Sequence, residues 1–453
     1  MKNKRLLLWC SPGFGFVDIW LPVIRELKEQ EGVVVDFVFP EPSSIRLEDE
    51  NSDLFNLAEQ FSDRIIFKGY SGRWFISKTL GEAKVNTRLS KIDKKIMRFS
   101  SRLKYGKLSK FHFLKTLGEY IYSMHKYIFF IKDFFNFPCL YNFASLKNTD
   151  GILCDITVEG KQANKELKHN LKNIKKFSML HGMAATWVES HMSCDKSVRK
   201  RSDVFVYNMS NLEKNGYKKC YGILEKNIIH AGIPRHDNDW IEFICSQENS
   251  DTKKEFKSFV LIIGRAASAY NPPERKKKAL EDIYNIVCTK FKLKLIVKMH
   301  PKESPDGIDG QIYRDALGSD NYGKDWMYSD RHPLLLGKGA IFAISFYSGV
   351  VLDMLSLNKI SIEYLNLDGL KDYDNKNSLR DNNEKPVFQF RYTNLVLGVS
   401  SELELKRHVC SILSQNSLTL LALRLKYEEY FKVFNGSSKM VADSIINTID
   451  ANF

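Results

Sequence analysis

None of the eight cysteines in this 453-residue chain falls in a Cys-x-x-Cys pair; Cys10, Cys139, Cys154, Cys194, Cys220, Cys245, Cys288 and Cys410 lie scattered among hydrophobic runs. That scatter excludes zinc-ribbon spacing and speaks against a disulfide framework, so the expected compartment is a reducing one, the cytoplasm. Long apolar runs are also missing. No segment reaches the roughly 18 uninterrupted apolar residues of a membrane span. The apolar stretch Leu6 to Cys10 is shorter than the core of a secretion signal, and Trp9 stands where cleavage needs a small residue, so it reads as a buried first strand. There is no internal repeat, no low-complexity tract and no RNA- or DNA-binding motif, and nucleic acid is not an expected partner. No convincing Asp-x-Asp follows a strand, so no metal site and no cofactor are expected.

What the chain does have is positive charge, and the charge is concentrated. Lys and Arg number 68 against 54 acids, for a net +14. The stretch from Lys84 to Asp133 holds 13 of those bases and only Asp93, Glu119 and Asp133 as acids, supplying +10. Phe111, Phe113, Tyr120, Tyr127, Phe129 and Phe130 are interleaved with it. Such a segment, about 75–140, reads as a helical insert with a solvated basic face and an aromatic core face. It reads equally as a surface, 84–137, resting on the anionic inner face of the cytoplasmic membrane.

Elsewhere the pattern alternates between strand and helix. Arg5 to Cys10 is a strand, Ser11 to Gly15 a glycine-containing turn, Asp18 to Gln30 a helix and Val33 to Phe39 a β-branched strand. Gly13 and Gly15 would let backbone N–H groups approach a ligand, although the third glycine of a dinucleotide fingerprint is absent. Strands at Gly151 to Ile156, Lys176 to Leu180 and Val204 to Tyr207 continue the series. A polar joint at Ser246 to Lys254 precedes a second series at Phe259 to Ile263, Leu293 to Lys298, Ala340 to Ser345 and Ile360 to Tyr364. The fold class is therefore α/β, with two Rossmann-like domains facing a cleft. Their expected bounds are 1–245, carrying the insert and the acceptor side, and 246–430, with 431–453 as a closing segment.

Polar residues collect at the carboxyl ends of these strands. Arg265 follows Phe259 to Ile263. Lys298 and His300-Pro301 close the next strand, proline restricting the histidine's backbone. Ser345, Ser348 and Gly349 lead into a helix from Val350 to Leu357, where free N–H groups favour phosphate, although Ser348 could equally serve as a simple cap. His300 could donate to a leaving phosphate with Lys298 or Arg265 balancing its charge, or be a core histidine satisfied by a carbonyl. In the first domain His181-Gly182 ends a strand, and its imidazole suits a general base. Asp18 and Asp155 are alternative bases, and Gly13, Gly15 and Asp18 are acceptor-side candidates. Arg235 could reach a pyrophosphate, or pair at the surface with Asp237 or Asp239.

The order of these motifs resembles the GT-B superfamily of bacterial surface-polysaccharide enzymes, in particular the CDP-glycerol glycerophosphotransferase and capsule-biosynthesis transferase group. The matching segments are His181-Gly182, Gly232 to Asp237, Lys298-Met299-His300-Pro301, Ser345 to Gly349 with Asp353, and Asn435 to Asp443, over roughly Ile174 to Ile445. Phe346 and Gly349 depart from the Ser-Asp-Tyr-Ser-Ser pattern of the glycerophosphotransferases, which shifts the expectation from polyol-phosphate to sugar transfer. The resemblance implies a metal-independent, inverting glycosyltransferase of capsule or lipopolysaccharide synthesis. Its partners would be a nucleotide-activated sugar, including CMP-activated acidic sugars, and a glycan or lipid-linked glycan acceptor. It implies further that Glu363 meets the nucleotide ribose and that the final helix packs back across the domains. Polyol-phosphate transfer and nucleotide-sugar 2-epimerisation are the alternatives.

Overall fold

A computed structural model describes residues 4–10, 15–40, 52–69, 72–77, 79–82, 91–105, 110–136, 148–155, 174–180, 200–247, 256, 258–414, 417–431 and 435–451. The first sheet holds β1 (Lys4–Trp9), β2 (Val33–Phe39), β3 (Arg64–Lys68), β4 (Trp74–Ser77), β5 (Gly151–Cys154), β6 (Lys176–Ser178), β7 (Val204–Asn208) and β8 (Ile228–His230). Their spatial order is β4-β3-β2-β1-β5-β6-β7-β8, parallel except for the β3–β4 pair. Leu6 to Trp9 are completely buried. An unbroken apolar run is what a central strand covered on both faces requires. The helices of this half are α1 (Gly15–Glu29), α2 (Ser52–Phe61), α3 (Lys91–Tyr105), α4 (His112–Asn136), α5 (Lys214–Tyr221) and α6 (Asn238–Ser246).

The second sheet is wholly parallel, in the order β11-β10-β9-β12-β13-β14. In chain order it is built from β9 (Phe259–Ile263), α7 (Pro273–Ile283), β10 (Lys294–Lys298), α8 (Ile308–Leu317), β11 (Trp326–Tyr328), α9 (Pro333–Gly339), β12 (Ala340–Ser345), α10 (Val350–Ser356), β13 (Ser361–Tyr364), α11 (Gln389–Tyr392), β14 (Leu397–Val399) and α12 (Glu402–Leu413). Two helices close the chain, α13 (Ser417–Tyr430) and α14 (Ser437–Asp450). The α/β expectation of two parallel-stranded domains is met.

The closing helix belongs physically to the first sheet. Val441, Ala442, Ile445 and Ile449 of α14 are buried, and the helix packs on α1. Ser444 Oγ lies 3.2 Å from Tyr207 Oη of β7, and Asp450 pairs with Lys4 of β1 at 2.8 Å. Asp237 fixes where α14 starts: its carboxylate accepts from the backbone N–H groups of Gly436, Ser437 and Ser438 at 3.2, 3.0 and 2.7 Å. A carboxylate there satisfies orphan donors and faces the positive end of the helix dipole.

The cysteine expectation needs one correction. Cys10, Cys154, Cys245, Cys288 and Cys410 form no disulfide, but Cys220 is disulfide-bonded, its partner lying outside the described residues. The expected joint at Ser246 to Lys254 also lies largely outside them.

Candidate active site

Strand register sets the site. Ile263 of β9 pairs with Lys298 of β10 on one side and Ser345 of β12 on the other; Ser345 pairs with Glu363 of β13, and Glu363 with Gly398 of β14. One level row at the carboxyl ends of five strands thus carries Lys298, Ser345 and Glu363. The chain leaves that row directly into the loops holding Arg265, His300 and Ser348. Ligands of parallel α/β sheets bind outside this edge.

His300 and Arg265 meet there. The Lys302 N–H donates to His300 Nδ1 at 3.1 Å, which assigns the proton of the neutral ring to Nε2. Nε2 lies 3.4 Å from Arg265 Nη1, so with that tautomer two donors face each other. Burial, then Arg265, Lys302 and Lys276, bring the His300 pKa down to about 4. At neutral pH the pair is therefore a guanidinium beside a neutral N–H donor, a combination that an anion would complete.

Lys276 holds both loops in place. Its buried ammonium pairs with Glu303 at 2.5 Å and Asp309 at 2.8 Å. Glu303 in turn accepts from the His300 N–H at 2.6 Å, and Asp309 from the Ala267 N–H at 3.0 Å. Gly264 is needed beneath them, since a Cβ there would lie 2.3 Å from Glu303 Oε2.

Glu363 is the most unusual group of the row. It is 1% exposed, and among the described residues neither of its carboxylate oxygens has a hydrogen-bond partner, nor does the buried Ser345 hydroxyl beside it. Burial pushes the Glu363 pKa up to about 8, against the opposing pull of Arg391. Arg391 reaches this place over Gly398, where a Cβ would collide with its Nε at 2.1 Å. Unpaired buried acceptors are costly, and hydroxyl donors from a ligand would relieve that cost.

An aromatic cluster walls the same edge. Tyr347 has φ 75°, a conformation unfavourable for a bulky residue, and its ring sits 4.4 Å from Phe388 and 6.1 Å from Tyr270. Arg265 Nε contacts Tyr270 Oη at 2.6 Å, and its guanidinium lies 5.9 Å from both tyrosine rings. Ser348 Oγ accepts weakly from the Val350 N–H at 3.4 Å, but the capping position of α10 is Gly349, which has no side-chain cap. Gly349 directly precedes α10, which spans seven residues, one fewer than the expected Val350 to Leu357. The Lys298 ammonium donates to the Asp330 carbonyl at 2.6 Å.

Two sequence expectations need correction. Arg235 does not pair with Asp237 or Asp239, nor does its guanidinium lie free to meet a pyrophosphate. It is buried between Asp18 and Asp353, 2.6 Å from each, and joins α1 of the first half to α10 of the second. Asp18, read as an acceptor-side group or base, also accepts from His332 Nε2 at 2.9 Å. The Leu334 N–H donates to His332 Nδ1, which leaves Nε2 as the donor. Burial alone would raise the Asp18 pKa, but Arg235 and His332 together outweigh it and bring it to about 2. A carboxylate held this way is a weak base. On the other side Asp353 meets His236 at 2.8 Å, and His236 meets Tyr427 Oη at 2.5 Å. Asp53 adds a second tie, to Arg331 at 3.0 Å and to the His332 N–H at 2.8 Å.

Across the cleft the sites are partly visible. His181, Gly182 and Gly13 lie outside the described residues, and Gly15 opens α1. Asp155 is buried at the carboxyl end of β5. Sequence reasoning overlooked Glu213, which is fully buried; burial pushes its pKa up to about 8, against the Met209 N–H and Tyr217 Oη that hydrogen-bond to it. It overlooked Lys276 and His332 as well, whose partners are distant in sequence. Among the described residues no three His, Cys, Asp or Glu side chains group as metal ligands.

No protein-family model matches the chain, and no curated protein matches it. Solved structures do. MnaA of S. aureus with UDP aligns at TM-score 0.53 and 10% identity, covering 100% of this chain and 97% of that one. The UDP-GlcNAc 2-epimerase of Neisseria meningitidis bound to UDP-GlcNAc aligns at 0.52 and 12%, covering 98% and 100%. A variant of the wall teichoic acid polymerase TagF aligns at 0.52 and 10%, covering 99% and 90%. At these identities the likeness is one of fold, the two-domain, Rossmann-like GT-B architecture.

Proposed function

We propose that the protein is a GT-B transferase that moves a sugar from a nucleotide-activated donor to a glycan acceptor in bacterial surface-polysaccharide synthesis. The observation that carries this reading is the His300 N–H beside Arg265, in the loops that leave one sheet edge, next to the row that holds the unpaired Glu363 and Ser345. The first pair suits a phosphate and the second suits ribose hydroxyls. The structures of similar fold that hold UDP or UDP-GlcNAc support a nucleotide ligand.

In this reading an acceptor hydroxyl, deprotonated by His181, attacks the anomeric carbon. A carbon–oxygen bond forms as the bond to the donor phosphate breaks, and the phosphate keeps the electron pair. Arg265 and the His300 N–H stabilise the charge that develops there, a preorganised arrangement needing no metal. The excess of basic residues fits an acidic donor, such as a CMP-linked sugar, or a polyanionic acceptor.

A second reading, epimerisation of the donor sugar, is favoured by the likeness in fold to a UDP-GlcNAc 2-epimerase that holds UDP-GlcNAc. The experiment follows nucleotide release and sugar identity with donor alone and with donor plus acceptor. Transfer requires release that depends on acceptor. A changed sugar with donor alone establishes the epimerase reading instead.

A further inference from the structure

The helix α4 carries an apolar face that the fold does not use. Phe113, Leu117, Tyr120, Met124, Tyr127 and Ile131 are all exposed, Phe113 by 75%, Tyr120 by 64% and Tyr127 by 65%. Steps of three and four residues put them on one stripe, roughly 27 Å long at the α-helical rise. The packed side of the same helix lies elsewhere: Gly118, His125 and Phe129 are buried, and His125 Nε2 is 3.1 Å from Asp93 of α3. The stripe is therefore additional to the helix pair's own core.

Its surroundings are cationic. From Lys91 to Asn136 the chain holds 11 Lys and Arg against three acids. Lys95, Arg102, Lys110, Lys115 and Lys126 are exposed, and Phe99 on α3 adds another exposed ring. No helix among the described residues is long and apolar enough to cross a membrane. Aromatic and aliphatic side chains along one face, bordered by lysine and arginine, match a surface whose interior is apolar and whose headgroups are negative.

We propose that the α3–α4 pair docks the protein on an anionic lipid surface, with the Phe113–Ile131 stripe set in the headgroup boundary and the flanking cations on lipid phosphates. Cosedimentation with phosphatidylcholine vesicles, with and without phosphatidylglycerol, tests it at low and high salt. The protein should sediment with the anionic vesicles only, less so as salt screens the contacts. The variant F113Q/Y120Q/Y127Q should lose at least roughly tenfold in partitioning, with helix content by circular dichroism unchanged. The variant K95Q/R102Q/K110Q/K115Q/K126Q should lose it as well while keeping the stripe, which supplies an independent arm should the first variant misfold. Absence of sedimentation with anionic vesicles, or equal binding to pure phosphatidylcholine, would overturn the proposal. So would a dimer that the glutamine substitutions dissolve, since a second copy would then cover the stripe. The vesicle assay involves no catalysis, so its failure is distinct from a failure of the transferase reading.

Discussion

Replacing Glu363 by glutamine should make the protein more resistant to urea at alkaline pH while weakening its hold on a nucleotide. In the fold the carboxyl titrates at about 8 because it is buried, Arg391 opposing the shift only in part. In the unfolded chain a glutamate titrates near ~4.3. Between those values the unfolded state has released its proton and the folded state retains it. Stability therefore falls as pH rises across the window, and the loss is complete above about 8. At ~1.36 kcal/mol per pH unit the whole span amounts to about 5 kcal/mol, of which about 4 falls between roughly pH 5 and pH 9. Glutamine does not ionise, so the stability gap between Glu363→Gln and the parent should widen by that amount over the same interval. Urea unfolding of both proteins across the pH series measures it. If ribose hydroxyls donate to the ionised carboxylate, nucleotide binding by the parent should also tighten towards pH 8 and that of the variant should not. Parallel stability curves would refute the argument, showing that Glu363 is ionised or solvated in the fold.

Three further outcomes are expected. Arg235→Met leaves Asp18 and Asp353 buried without their shared cation and should cost about 3–5 kcal/mol of urea stability, part of it recovered by adding Asp353→Asn. His300→Ala should reduce turnover on the order of 100-fold with little change in unfolding, and near-normal turnover would remove His300 from the mechanism. Lys276→Gln frees the loops bearing Arg265 and His300, so nucleotide affinity should fall along with stability. A stability loss with unchanged affinity would make Lys276 purely structural.

The second sheet was legible because its strands are short apolar runs with polar residues at their carboxyl ends. Phe259–Ile263 and Ala340–Ser345 were bounded to the residue, and parallel register then brought Lys298, Ser345 and Glu363 level. Strands β3, β4, β11 and β14 were not anticipated. At three to five residues they owe their conformation to pairing with a neighbour rather than to their own pattern. Arg235 was misread for a related reason. A Gly-x-Pro-Arg sequence shows that the arginine follows a tight turn, but not that Asp18, over two hundred residues earlier, and Asp353, over one hundred later, converge on it. Lys276 looked like one more lysine in Arg275-Lys276-Lys277-Lys278, and only the packing of α7 under β9 and β10 sets it apart. The φ of 75° at Tyr347 leaves no local signal either, since tyrosine ordinarily avoids that region.

The central claim is that the edge formed by Arg265, His300, Ser345 and Glu363 binds the nucleotide of an activated donor. Thermal unfolding of the parent and of Arg265→Ala with CMP, CDP, UDP, GDP and ADP tests it most directly. At about 100 times its dissociation constant, at least one nucleotide should stabilise the parent by ~2.7 kcal/mol and leave Arg265→Ala nearly unmoved. A parent that responds to none of the five, or a variant that responds as the parent does, would contradict the assignment.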